Sequence, residues 1–117
     1  MSWTVEYYKE SGRNSYPIKE FLDAIDDKAA AKFFRCFALL EEHGIEVREP
    51  YVKSLTGHGK LKEIRVKAAP NIYRIIYFIH TGKRIILLHG FVKKTEKTPP
   101  GEIEIAEKRM KRFLEGE

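Results

Sequence analysis

Arg74 is the residue whose type and setting first suggest chemistry. It interrupts Ile72 to Ile79, an otherwise nearly continuous apolar run. A guanidinium there keeps its proton, so it must meet an acid, reach solvent or wait for an anionic ligand. Arg65 lies on the preceding alternating segment and becomes its neighbour if the two segments pair antiparallel. Two such groups repel unless something negative lies between them. That something is either a carboxylate, Glu63 or Glu49, or a phosphate, whose oxygens match the planar fork of arginine. Lys93 and Lys94 directly follow the next apolar run, where a strand end holds a side chain firmly and still faces solvent.

Two histidines are candidate proton carriers, because an unperturbed imidazole titrates near pH 6.5. His58 sits in the Gly-flanked Thr56–Gly59 turn; His89 lies near the exit of the last apolar run, where the alternative is a hydrogen-bonded residue at the edge of the core. No metal-ligand spacing, phosphate-binding glycine loop or serine elbow is present, and Cys36 is alone. Phosphoester chemistry here is therefore expected to run without a metal or other cofactor. RNA permits this because its own 2′-hydroxyl can act as the nucleophile.

Charge points the same way. The chain carries 22 basic and 17 acidic residues, a formal charge of +5. Between Lys53 and Lys97 only Glu63 and Glu96 oppose a long basic series. A basic half-chain is the footprint of a polyphosphate binder; a solvated basic surface is the alternative. Lys53, Lys60, Lys62, Lys67 and Lys97 are the expected RNA-binding residues.

The elements that must position these groups are legible in the periodicity. Trp3 to Tyr8 is rich in β-formers and reads as a strand. Pro17 opens a helix with Ile18, Phe21, Leu22 and Ile25 on one face. Asp26-Asp27 caps a second helix, whose stripe is Ala30, Phe33, Phe37 and Leu40, and Gly44 closes it. Glu49 to Lys60 reads as a loop. The period then becomes two at Glu63 to Lys67, followed by runs at Ile72 to Ile79 and Arg84 to Val92. After Pro99-Pro100, Ile103, Ala106, Met110 and Phe113 share a helical face. Early Glu102, Glu104 and Glu107 and late Lys108, Arg109, Lys111 and Arg112 complement that helix's dipole.

The expectation is one α+β domain over residues 1–117. It comprises an N-terminal strand, an αα-hairpin, a three-strand antiparallel block completing a twisted sheet, and a C-terminal helix. The absence of a long apolar run or a secretory leader, with one cysteine, predicts a cytoplasmic protein with no membrane partner.

Three stretches give this chain a family look: Leu61 to Val66, Tyr73 to Phe78, and Leu87 to Pro99, with Glu102 to Ala106 trailing. In order and content it resembles the RelE/ParE toxins of bacterial toxin–antitoxin pairs, and within them the phage-derived HigB-like branch. The resemblance implies a ribosome-dependent mRNA endonuclease, neutralised by a helix-turn-helix antitoxin. By position it implies that Arg74 steadies the phosphate and Arg65 assists from the neighbouring strand. Lys94, with Lys93 beside it, stands where relatives place an arginine, and Glu49 where some place a carboxylate base. A C-terminal catalytic tyrosine or histidine of some relatives has no counterpart, which leaves His58, Lys60 and His89 for proton transfer. The ParE side of the superfamily implies a gyrase inhibitor instead, and a non-catalytic RNA-binding module is the third reading.

Overall fold

The computed structural model describes residues 3–10, 12, 14–93 and 97–116. Strand β1 (Thr4–Tyr7) is followed by α1 (Pro17–Ala24) and α2 (Asp27–His43). After a 3-10 turn at Gly44–Glu46 come β2 (Val52–Ser54), β3 (Lys62–Ala68), β4 (Asn71–His80) and β5 (Arg84–Lys93). Helix α3 (Pro100–Gly116) ends the chain.

Local chemistry sets the boundaries. Pro17 occupies the first turn of α1, where a missing N–H costs nothing. The Asp26 carboxylate accepts the Lys28 backbone N–H at 3.2 Å and so starts α2. Gly44 ends α2 at φ +54°, and a Cβ there would lie 2.0 Å from the Trp3 ring. Only glycine satisfies both the turn and the close approach of the indole.

The strands form one sheet in the order β1-β5-β4-β3-β2. All neighbours are antiparallel except β1, which runs parallel to β5. Ile64, Val66, Tyr73, Ile75, Tyr77, Ile85 and Leu87 pack against Ile18 and Leu22 of α1 and Ala29, Phe33, Phe37 and Leu40 of α2. On the opposite face Leu61, Ile76, Phe78, Ile86, Leu88 and Phe91 pack against Ile103 and Ala106 of α3. Covering on both faces explains why β4 and β5 read as apolar runs. Each fully buried Ile, Leu or Phe contributes roughly 1.5–3 kcal/mol.

Three details differ from the sequence reading. Val52–Ser54, inside the expected loop, forms a short edge strand on β3. The α2 stripe begins at Ala29 and includes Cys36, with Ala30 only half-buried, because the helix is turned to seat Ala29 on the core. The β4–β5 register slips at Ile76/Tyr77, so that Tyr77 faces Leu87 while Ile76 faces His89. This bulge at Leu88-His89 turns both side chains toward α3. It also brings Gly90 to the α1 side, where a Cβ would stand 2.4 Å from the Phe21 ring.

Candidate functional site: the arginine pair and the basic groove

Arg65 and Arg74 are direct cross-strand partners on β3 and β4. Because Ile64 and Ile75, one step along, face α1 and α2, the arginines share the opposite face. Glu63, also on that face, lies between them. Its Oε1 is 3.7 Å from Arg65 Nε and its Oε2 is 3.7 Å from Arg74 Nη1. Thr98 closes the cluster from the β5–α3 connection. Arg74 Nη1 donates to Thr98 Oγ1 at 3.0 Å, and that hydroxyl donates to Glu63 Oε2. Of the roles open to Arg74 from sequence, the structure makes the ion pair with Glu63.

The two guanidiniums differ in access. Arg74 is sealed at 0% side-chain exposure, whereas Arg65 keeps 17%. Burying a carboxylate and a guanidinium is tolerable only when they meet each other and further hydrogen-bond partners. Thus Arg74 and Glu63 form a fixed charged base under Arg65, and Arg65 is the member that reaches the surface.

Arg65 also lines a groove of about 880 Å³ between α2 and the outer edge of β3. Glu49, Lys53 and Lys67 line the same groove, so four of the expected site residues converge there. Lys32 and Arg35 of α2 and Tyr51 join them. Sequence reading missed these three, since α2 showed only its buried stripe and Tyr51 lay in an apparent loop. Cys36, Leu39 and Val66 supply apolar lining. Burial pushes the Cys36 thiol upward, keeping it protonated and a packing group.

Both candidate histidines meet carboxylates of α3. His89 Nε2 is 2.6 Å from Glu102 Oε1, and its Nδ1 is 3.3 Å from Arg109 Nη1. The ring stacks on Phe91 with centroids 5.5 Å apart. Burial draws the His89 pKa below 6.5; the hydrogen bond to Glu102 opposes this and the Arg109 charge reinforces it. With both ring nitrogens engaged, His89 fastens α3 to β5. His58 Nδ1 is 3.1 Å from Glu107 Oε2, so the turn bearing it is tied to α3 as well.

The remaining lysines are spread. Lys93 is half-buried at the end of β5, opposite Ile72, and Lys94 lies outside the described residues. Lys60 and Lys97 are exposed, and Lys62 Nζ donates to Ser54 Oγ at 3.4 Å. No helix among the described residues is long and apolar enough to cross a membrane.

A five-stranded sheet with two helices on one face and a C-terminal helix on the other is the RelE-like architecture. The chain is similar in fold to a chain of the archaeal RelE–RelB complex from Pyrococcus horikoshii OT3, with a TM-score of 0.55. The two are 22% identical, and the match covers 83% of this chain and 100% of that one. The model of the Phage derived protein Gp49-like family matches residues 20–111, and the chain belongs to that family, one of RelE/HigB toxin type. No curated protein matches the chain.

Proposed function

We propose that this protein is the toxin of a type II toxin–antitoxin pair and cleaves mRNA on the ribosome. The observation that carries this reading is the Arg65–Glu63–Arg74 cluster, with Arg65 also among the residues lining a groove rich in cations. Family membership supports the toxin assignment. The similar fold occurs in a protein solved with RelB, which supports a neutralising partner; a helix-turn-helix antitoxin is the expected one.

In the proposed reaction the 2′-oxygen, losing its proton, attacks the adjacent phosphorus, the P–O5′ bond breaks and the leaving 5′-oxygen takes a proton from water. The products are a 2′,3′-cyclic phosphate and a 5′-hydroxyl end. Arg65 contacts the scissile phosphate and offsets the charge that accumulates on its equatorial oxygens. Arg74 acts through Glu63 to hold that guanidinium in place. In this reading Glu49, which lines the same groove, takes the 2′-hydroxyl proton, and Lys93 and Lys94 add positive charge to the substrate path.

Primer-extension mapping of transcripts after induction of this gene alone tests the proposal. Codon-linked cuts that vanish with Arg65→Ala are expected. Growth arrest with intact transcripts and accumulated relaxed DNA would instead select a gyrase inhibitor. Salt-sensitive RNA binding with no cut product would select a non-catalytic binder.

A further inference from the structure

The groove between α2 and β3 holds an exposed aromatic ring among its cations. Tyr51 is 48% exposed, although its backbone is fastened at two points. The Tyr51 N–H donates to Arg48 O at 3.1 Å, and its carbonyl accepts the Arg65 N–H at 3.2 Å. The Tyr51 backbone is therefore held against that of Arg65, and its side chain stands exposed at the groove. Among the described residues, Lys32, Arg35, Lys53, Arg65 and Lys67 line the groove against Glu42 and Glu49. A volume of about 880 Å³ lies within the roughly 300–1,000 Å³ range of small-ligand sites, which suits a short stretch of nucleotides.

We propose that this groove is a track for single-stranded RNA, in which Tyr51 is the platform on which one base stacks next to the phosphate held by Arg65. The inference rests on the ribonuclease reading and adds to it the subsite that orients the nucleotide. Single strands are held by a basic path that follows the backbone and by aromatic faces that take unstacked bases. A duplex keeps its bases within the stack and has nothing to offer the ring. An acidic polypeptide adding as a strand to the open edge of β3 fits less well. There Lys67 O already accepts Lys32 Nζ at 2.8 Å, so the edge carbonyl that a new strand needs is occupied.

A fluorescein-labelled, 2′-O-methylated RNA octamer, which binds but has no free 2′-hydroxyl for cleavage, is the probe. Fluorescence anisotropy should show Tyr51→Ala weakening its binding by about 5- to 100-fold, the effect of losing one base–aromatic stack. Tyr51→Phe should bind like the wild type, because the ring face is kept. Arg35→Glu should weaken binding and flatten its salt dependence. Melting curves check that each variant is folded. Wild-type affinity in Tyr51→Ala would overturn the proposal. So would displacement of the RNA by an oligoglutamate peptide whose own binding is lost in Arg35→Glu, since the groove would then be a polypeptide site.

The binding readout separates this proposal from the ribonuclease reading. Tyr51-dependent binding by a protein that cuts no transcript sinks the nuclease and leaves the track standing. Transcript cleavage by Tyr51→Ala with an unchanged KM removes the track alone.

Discussion

The Nε2 atom of His89 lies 2.6 Å from Oε1 of Glu102, joining the last strand of the sheet to the first turn of α3. Burial holds His89 below its ordinary 6.5, so the folded protein binds this proton less readily than the unfolded chain. Stability from this source is present above pH 6.5 and is lost as pH falls through the lower folded value. Urea midpoints at about pH 7.5 and about pH 5.5 should therefore fall in the acid direction, and the part of that fall due to this site should be absent in His89→Gln.

Glu63 is the keystone of the charged cluster. Glu63→Ala leaves the Arg74 guanidinium buried without its carboxylate and should cost about 3–5 kcal/mol, read from urea denaturation. Thr98→Val removes the hydroxyl that bridges both groups and should cost about 1–3 kcal/mol.

Arg65 and Arg74 should separate in a paired measurement. Arg65→Ala should lower transcript cleavage by about 10²–10³-fold. Its urea midpoint should fall less than that of Arg74→Ala, because part of the Arg65 side chain reaches solvent and Glu63 keeps Arg74. Arg74→Ala should lose stability and cleavage together, since it strands Glu63 in the interior. Equal stability losses in both variants would contradict the division of roles.

Gly90 and Phe21 should be energetically coupled. Gly90→Ala places a methyl group 2.4 Å from the ring and should cost about 1–3 kcal/mol by overpacking. Combining it with Phe21→Ala should recover part of that loss, seen as a non-additive double-mutant cycle.

The larger architecture was readable because long elements carry many periodic residues. Ile18, Phe21 and Leu22 marked α1, and Ile103, Ala106 and Met110 marked α3 before any coordinates were needed. Val52–Ser54 escaped because three residues flanked by turn chemistry hold too little pattern to distinguish a strand from a loop. The slip at Ile76/Tyr77 left no trace either, since β5 is apolar on both faces and a bulge does not disturb a continuous run. Glu63 was visible as a possible partner of the arginines, but the hydroxyl of Thr98, 35 residues away, was not. Glu102 and Glu107 were read as dipole compensation; the fold gives them a second task, holding His89 and His58. The groove was the least legible feature. Lys32, Arg35, Tyr51, Arg65 and Lys67 meet only because α2 and β3 are laid side by side, and no local spacing encodes that.

The parallel seam between β1 and β5 joins segments far apart in the chain, a long-range closure that is slow to form. Thr4 pairs with Arg84, so β1 has to wait for β5 before it finds its place. The contacts of α1 with α2 and of the β3–β4 hairpin are closer in sequence. A chain that stops before Arg84 thus leaves Thr4–Tyr7 without its neighbouring strand, so the sheet gains its β1 edge only once β5 is present.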